Sequence, residues 1–243
     1  MKILIIVPAY NEELNILETC KSIKNKAVSE GIVLDYLVIN DGSTDGTLKT
    51  CLNENIKVID LVCNLGIGGA VQAGYKYAYE NGYDIAIQFD GDGQHDINYI
   101  EQLIDPIIKH EANFTVGSRF VGNESEFKST KLRRLGISFL SKLIKACTGQ
   151  SIKDPTSGFR AADREIIEMF SKEYSKDYPE PDAIITLLKK GYSIKEVGVK
   201  MHERTGGKSS ITPFKSLYYM IKVSLSILII NFSIKNGGNE ECL

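Results

Sequence analysis

Two aspartates one residue apart follow an apolar stretch near the middle of the chain. Residues 85–89 predict a buried strand, and Asp90 and Asp92 come directly after it, followed by Gln94 and His95. Because side chains at alternate positions of an extended chain point the same way, the two carboxylates are expected to converge. Convergent carboxylates suit a hard divalent cation that also binds substrate phosphates. Taken alone, an acidic turn after a strand explains the pattern equally well.

The composition is that of an ordinary soluble globular protein. At 243 residues, with 43% hydrophobic and 25% charged residues, the chain is long enough for one large α/β domain or two small ones. A formal net charge of −2 with mixed charges gives no sign of nucleic-acid binding. The five scattered cysteines lack a C-x-x-C pair, which is typical of reduced thiols in the cytosol. The N-terminal apolar run is too short for a secretion signal and predicts a first strand.

Short apolar runs alternate with helical patterns across the first half of the chain. This alternation predicts an α/β fold, with a mostly parallel sheet and helices on both faces. Ligands of such sheets gather at the carboxyl ends of the strands. The predicted strands are residues 3–7, 34–39, 56–61, 85–89, 114–117 and 193–199. The predicted helices are residues 12–26, 44–53, 69–81, 97–110, 132–148, 181–190 and 213–233, with a short one opening at Asp163 and a polar loop over 122–131.

Polar motifs follow each of the first three strands. They are Val7-Pro8-Ala9-Tyr10-Asn11-Glu12, Asp41-Gly42-Ser43-Thr44-Asp45-Gly46-Thr47 and Asn64-Leu65-Gly66-Ile67-Gly68-Gly69. Helix caps, strand ends and tight turns would explain each motif, but the backbone N–H groups of helix starts also bind phosphates. The glycine-rich segment has neither Walker nor Rossmann spacing.

In this order, the motifs resemble those of the family 2 inverting glycosyltransferases of the GT-A fold. Within that family they resemble the branch of dolichyl-phosphate mannose synthases and bacterial polyprenyl-phosphate sugar transferases. The resemblance covers about residues 1–210, which would form the catalytic domain, and leaves 211–243 as an apolar helix and tail. The matching segments are the first two motifs above, Asn64-Leu65-Gly66, Asp90-Gly91-Asp92-Gly93-Gln94-His95, Gly117-Ser118-Arg119-Phe120 and Ser157-Gly158-Phe159-Arg160.

The resemblance implies a nucleotide-sugar donor at the strand ends. It places Asp41 on the base, Asp90 at the ribose and diphosphate, and Asp92 with Gln94 on Mg²⁺ or Mn²⁺. The metal would neutralise the leaving diphosphate, in agreement with the independent interpretation of the aspartate pair. His95 is a further candidate ligand, although a structural hydrogen-bonding role is favoured. The other implied donor contacts are Pro8, Tyr10, Glu12, Ile39, Gly91, Arg204 and Lys208, the last two in a loop hinged at Gly206 and Gly207.

Cationic side chains mark the expected acceptor site. Arg119 and Arg160 adjoin short apolar strands near the active edge, where guanidinium groups suit phosphate oxygens. The resemblance implies that Arg119 and Arg133 hold an acceptor phosphate and gives Arg119 a catalytic role. Arg134 is expected to be solvated.

The acceptor class decides whether the reaction needs a general base. A lipid phosphate is already ionised near neutral pH, whereas a hydroxyl acceptor must lose its proton. Asp182 is the candidate base, with Glu180 as the alternative. A helix cap or first-turn carboxylate explains Asp182 equally well.

The predicted function is metal-dependent, inverting transfer of a hexose or N-acetylhexosamine from a UDP- or GDP-sugar to a polyprenyl phosphate. One alternative is extension of a cell-surface polysaccharide at a sugar hydroxyl. Another is a catalytically silent nucleotide-sugar-binding subunit of a membrane complex, against which the intact metal-ligand pattern argues. An oligomer remains open, and no nucleic-acid partner is expected.

The C-terminal segment predicts a helix over Pro213–Ser233. Its uncharged run after Lys222 ends at Ile234, well short of the roughly 20 residues that span a bilayer. Apolar residues fall on nearly every side of the helix. A fully buried helix capping the sheet is one explanation. Burial at the membrane surface, or against a small membrane protein, is favoured and predicts a peripheral enzyme on the cytoplasmic face.

Overall fold

The apolar runs form the strands of one sheet. The computed structural model describes residues 1–26, 32–122, 131–201 and 213–234, with the side chains of 131–133 and 213–217 left undescribed. The strands are β1 (Lys2–Ala9), β2 (Val33–Asn40), β3 (Val58–Asp60), β4 (Ile85–Gln88), β5 (Phe114–Ser118), β6 (Arg160–Asp163) and β7 (Ile194–Gly198). The helices are α1 (Ile16–Lys24), α2 (Thr47–Asn53), α3 (Gly66–Glu80), α4 (Ile100–Ile108), α5 (Lys131–Thr148), α6 (Arg164–Lys172), α7 (Pro179–Lys189) and α8 (Pro213–Ser233).

The strand order is β3-β2-β1-β4-β6-β5-β7. Only β6 among these strands runs antiparallel to its neighbours, so the predicted mostly parallel sheet is confirmed. β1 is buried from Ile3 onward, as expected for a central strand covered on both faces. The sequence did not predict β6, because four residues bounded by Arg160 and Asp163 show no apolar run.

Helices cover both faces of the sheet and enclose two cores. One core joins α3, α5, α6, α7 and α8 through residues such as Tyr75, Leu140 and Ile227. The opposite core joins α1, α2 and α4 through residues such as Cys51 and Leu103. The carboxyl ends of β1, β2 and β4 therefore form one edge between two rigid layers.

Several predicted bounds differ from the observed ones. α1 begins at Ile16 rather than at residue 12, because the Glu12 carbonyl accepts the N–H groups of Asn15 and Ile16 in a preceding turn. α3 begins at Gly66, three residues earlier than predicted. Pro106 lies inside the last turn of α4 without ending it.

α8 has the predicted bounds but only one of its faces packs. Val223 and Ile227 are fully buried in the core that α8 shares with α5 and α7, whereas Ile229 is 63% and Phe232 80% exposed. The explanation by full burial is therefore wrong. Among the described helices, none is both long and apolar enough to cross a membrane. The predicted domain boundary after residue 210 falls outside the described residues.

Candidate active site

The loops that follow β1 and β2 are held together by hydrogen bonds. Asn11 adopts a left-handed backbone conformation, with φ of 57°, and its Oδ1 accepts the Thr44 N–H at 2.8 Å. Glu13 Oε2 accepts the Gly46 N–H at 2.7 Å, and the Glu12 N–H donates to Thr47 Oγ1 at 2.8 Å. These hydrogen bonds join residues 11–13 to residues 44–47 at the carboxyl edge of the sheet, and we call these two segments the ledge.

Asp41 lies where three strand ends meet. Its residue is 3% exposed, and its Oδ1 accepts the Leu65 N–H at 2.7 Å, which ties the end of β2 to the start of α3. Gly42 follows with φ of +65°, and a Cβ there would lie 2.7 Å from the Asn64 nitrogen. Glycine is required at this position by both the conformation and the close approach. The role of Asp41 on the base stays a prediction, and its carboxylate is fixed in place.

The other predicted donor contacts near β1 and β2 differ in accessibility. Tyr10 is 48% exposed and presents its ring at the ledge. Pro8 and Ile39 are buried, and the Glu12 carboxylate accepts the Asn15 side-chain amide at 2.8 Å. Their nucleotide roles stay predictions, and Tyr10 is the one of these four with a large open surface.

Asp90 is held by its neighbours immediately after β4. The fully buried Gln88 points its Nε2 at Asp90 Oδ1, 3.4 Å away. A Cβ on Gly158 would lie 2.6 Å from Asp90 Oδ2, so the glycine leaves room for the carboxylate. The Asp90 side chain is 33% exposed. Both Asp90 and the buried Gly91 beside it therefore lie at the ledge, where the resemblance expects the donor.

His95 contacts Asp90 through both of its ring nitrogens. Its Nδ1 accepts the Asp90 N–H at 3.1 Å, and its Nε2 lies 3.5 Å from Asp90 Oδ2. The ring stacks on Phe159 with centroids 5.0 Å apart and meets the edge of Phe89. Burial lowers the pKa of His95, while Asp90 and Asp92 act in the opposite direction. This geometry agrees with the structural hydrogen-bonding role favoured for His95, because Nδ1 accepts a hydrogen bond from the Asp90 backbone.

Asp92 and Gln94 lie in one short turn after Asp90. Both are partly exposed, and Asp92 Oδ1 accepts the Gln94 N–H at 3.1 Å in a short turn. In the described residues, no group of three or more His, Cys, Asp or Glu side chains could hold a metal ion. Two carboxylates and one amide fit part of the oxygen shell of Mg²⁺ or Mn²⁺, which substrate phosphates and water would complete.

Arg119 lies beside the ledge, but its guanidinium group is paired with another side chain of the protein. It is 3% exposed, and its guanidinium donates two hydrogen bonds to the fully buried Asp154, Nε to Oδ2 at 2.7 Å and Nη2 to Oδ1 at 2.6 Å. The Arg119 backbone N–H donates a third to Asp154 Oδ2 at 3.0 Å. Nη2 also donates to Thr156 Oγ1 at 3.0 Å. Sequence reasoning missed Asp154, although a buried arginine requires such a partner. The predicted catalytic and acceptor roles of Arg119 stay predictions, and the structure places it in a buried ion pair.

Arg160 is also turned inward. It is fully buried, and its guanidinium donates to the backbone carbonyls of Pro155, Ser157 and Glu180. Arg160 therefore joins the loop before β6 to the first turn of α7. Its predicted acceptor role stays a prediction.

Asp182 lies in the first turn of α7, as predicted, and Glu180 lies there too, because α7 begins at Pro179 rather than at residue 181. Asp182 is 5% exposed, and its Oδ2 accepts the hydroxyls of Ser175 at 2.7 Å and Ser226 of α8 at 2.8 Å. Glu180 is partly exposed; burial raises its pKa, Arg160 opposes the rise and Asp90 adds to it. Glu180 thus interacts electrostatically with Asp90, whereas Asp182 is bonded to α8.

Three predicted residues have undescribed side chains. Arg204 and Lys208 lie outside the described residues, as do the hinge glycines, and of Arg133 only the backbone in α5 is described. Their roles stay predictions. Arg134 is exposed, as expected.

The structure is an α/β fold with a pair of aspartates, Asp90 and Asp92, after the carboxyl end of β4. The model of Glycosyl transferase family 2 matches residues 4–170, and the chain belongs to that family. The UDP-N-acetylglucosamine–dolichyl-phosphate N-acetylglucosaminyltransferase of Methanococcus voltae is 33% identical, over 92% of this chain and 96% of that protein. The polyprenol monophosphomannose synthase of Mycolicibacterium smegmatis is 29% identical, over 91% and 85%.

A solved structure confirms the fold. The glucosyl-3-phosphoglycerate synthase of Mycobacterium tuberculosis, crystallised with Mn²⁺ and uridine-diphosphate-glucose, matches with a TM-score of 0.70 at 22% identity. The match covers 98% of this chain and 81% of that chain. The predicted GT-A fold is therefore confirmed. The family match confirms the prediction that the protein is a glycosyltransferase.

Proposed function

We propose that this glycosyltransferase moves a hexose or N-acetylhexosamine from a UDP- or GDP-sugar to a polyprenyl phosphate, with inversion at the anomeric carbon. The Methanococcus voltae and Mycolicibacterium smegmatis relatives are named as a dolichyl-phosphate transferase and a polyprenol monophosphomannose synthase, which supports this acceptor class. One observation carries the proposal. The carboxylates of Asp90 and Asp92 remain partly exposed at the ledge, while the candidate base Asp182 is buried and bonded to two serine hydroxyls.

The nucleotide-sugar donor would bind at the ledge and at the loop after β4. Tyr10 and Asp41 would take the base, and the ledge would orient the ribose. Asp92 and Gln94 would hold Mg²⁺ or Mn²⁺, with Asp90 beside the diphosphate. When bound, the metal supplies positive charge that stabilises the departing diphosphate. Gln88 would orient the Asp90 carboxylate and His95 the Asp90 backbone before any substrate arrives, while Gly158 leaves room for the carboxylate.

Transfer to a phosphate acceptor does not require a base to remove a proton from the acceptor. A phosphate monoester is ionised near neutral pH and attacks through an oxygen that already carries charge. A buried Asp182 with both serines as donors is poorly placed to accept a proton from a bulky acceptor. This supports the lipid phosphate over a sugar hydroxyl.

Glu180 favours a second candidate function. Its pKa is raised and it interacts with Asp90, as a general base beside the reacting atoms would. A glycosyltransferase that extends a glycan at a hydroxyl would use such a group. Glu180→Gln would then abolish transfer, whereas transfer to a phosphate would survive the change.

A direct assay tests the proposal. The purified full chain is incubated with UDP- and GDP-sugars, Mn²⁺ and either a polyprenyl phosphate or an oligosaccharide, and nucleoside diphosphate release is followed. Release that depends on the polyprenyl phosphate supports the proposal. Release that depends only on the oligosaccharide, or donor binding without release on either acceptor, overturns it.

A further inference from the structure

The outer side of α8 carries a continuous apolar stripe. Ile221, Leu225, Ile229 and Phe232 follow one another at intervals of three and four residues, and each is at least half exposed. The opposite side holds Val223 and Ile227, which are fully buried. The all-round apolarity of the sequence thus divides into a core face and a solvent face. Single exposed apolar residues are common, but an aligned row of this kind marks an interaction surface.

α5 extends this surface alongside α8. The two helices approach closely, since a Cβ on Gly136 would lie 3.2 Å from the Met220 sulfur. Leu135 is 72% and Phe139 52% exposed, one helical turn apart. We call the six residues Leu135, Phe139, Ile221, Leu225, Ile229 and Phe232 the α5–α8 face. An open cavity of about 530 Å³ lies between the two helices near their ends, lined by Leu143, Cys147, Leu228 and Phe232 among others.

The charged side chains of α5 and α8 are all positive, and the acidic residue Asp177, in the loop before α7, lies close enough to act on Lys222. Neither α5 nor α8 contains an aspartate or glutamate in its sequence. Arg134, Lys142 and Lys145 of α5 and Lys222 of α8 are exposed. The chain as a whole carries a formal net charge of −2, so this local excess is a feature of the two helices. Exposed apolar side chains bordered by lysine and arginine are the pattern of a surface that lies on anionic lipid.

We propose that the α5–α8 face docks on the surface of an anionic lipid bilayer. The apolar row would enter the headgroup boundary, and the four cations would contact lipid phosphates. A second copy of the chain fits less well, because a two-fold contact would place these cations together without any acidic residue from either helix. The inference rests on the proposed function in one respect: a lipid-linked acceptor would be reached from this surface.

Vesicle flotation of the full chain tests the docking. Vesicles of phosphatidylcholine alone are compared with vesicles of equal parts phosphatidylcholine and phosphatidylglycerol, at low and high salt. The wild-type chain should float with the anionic vesicles, less at high salt. Ile229→Ser with Phe232→Ser should weaken binding by more than roughly tenfold. Lys142→Gln with Lys145→Gln should weaken it by roughly fivefold per charge.

Matched variants on the opposite side of the sheet serve as controls. Leu52→Ser with Ile108→Ser removes exposed apolar residues of α2 and α4, and Lys24→Gln with Lys49→Gln removes exposed charges of α1 and α2. Both should float like the wild-type chain. Thermal unfolding of every variant shows that the fold is kept.

Three results would overturn the docking proposal. One is no binding of the wild-type chain to either vesicle, and another is equal flotation of face and control variants. The third is a dimer in sedimentation that only the face variants dissociate, which would assign the face to a second copy. Donor turnover with a short, water-soluble polyprenyl phosphate is measured in parallel. If the wild-type chain shows no turnover with this acceptor, the proposed function is rejected, and the flotation result still decides the docking proposal by itself.

Discussion

The carboxylates that follow β4 and the arginines beside β5 and β6 lie at the same edge of the sheet in different surroundings. Asp90 and Asp92 are partly exposed, and the bonds that hold them come mostly from neutral groups. Arg119 and Arg160 are buried, and Asp154 and backbone carbonyls take up their donors. The carboxylate side can still bind a charged ligand, whereas the arginine side already has its partners.

The difference between the two regions lies in what replaces the water around each charge. A buried arginine whose donors are all directed at protein groups does not by itself indicate a ligand. Removing a charge from water is costly, so a buried arginine implies a built-in partner. We therefore expect substitutions of the arginines to act on stability and those of the carboxylates to act on catalysis.

The largest expected effect is that of Arg119→Ala on stability. It would leave the Asp154 carboxylate buried and unpaired, which costs about 3–5 kcal/mol in the free energy of unfolding. Denaturant unfolding measures the loss. Lys195→Ala is the matched control, because its bond to Glu111 is also 2.7 Å long but both side chains are nearly half exposed. That control should lose no more than about 1 kcal/mol. A stable Arg119→Ala protein with selectively impaired acceptor use would restore the acceptor role predicted from the sequence.

Asp92→Asn should lower activity by a factor of about 10²–10³ without changing the unfolding midpoint, since it removes a proposed metal ligand that is partly exposed. Nucleoside diphosphate release, measured over a range of Mn²⁺ concentrations, gives the effect. Asp105→Asn replaces an exposed carboxylate of α4 and should behave like the wild-type enzyme. Full activity of the wild-type enzyme in EDTA would disprove the metal role.

His95 allows a finer test through its two ring nitrogens. His95→Asn keeps an acceptor near Nδ1 for the Asp90 N–H, whereas His95→Leu keeps bulk against Phe159 and removes the acceptor. We expect His95→Leu to weaken Mn²⁺ binding by about 10–100-fold and His95→Asn to recover much of that loss. Equal Mn²⁺ affinity in the two variants would show that the ring serves packing alone.

The smallest effect is expected for Asp182→Asn. Burial raises the pKa of Asp182, the bonds from Ser175 and Ser226 oppose the rise, and Asp177 adds to it. A raised pKa in the folded state means that the wild-type protein loses stability as the pH rises through that pKa. The asparagine avoids this loss, so the variant should be equally or slightly more stable at about pH 7, with the gain fading below the unfolded-state pKa of about 3.9.

Unfolding curves at several pH values measure this gain, and Asp177→Asn, at an exposed position in the same loop, is the control. Activity of Asp182→Asn should stay near that of the wild-type enzyme. A near-complete loss of transfer with normal folding would instead make Asp182 the base and favour a hydroxyl acceptor.

Local pattern was sufficient for most of the fold. The continuous apolar runs of β1, β2 and β4 and the apolar periodicity of α4 and α8 lie within short windows, so they could be predicted. β6 could not, because Ala161 and Ala162 are buried only through their place between β4 and β5. The ordered motifs likewise indicated the family.

Short segments of the sequence were enough to indicate three features of this protein: carboxylates at a strand end, loops predicted to bind a nucleotide, and an apolar C-terminal helix. Tertiary structure alone decided how those groups are used. It paired Arg119 with a residue 35 positions away, joined Asp182 to a serine 44 positions away, and divided α8 into a buried and an exposed face. The physical reason is desolvation, because the free energy of a charge or an apolar group depends on what replaces its water, and packing between distant segments decides that replacement.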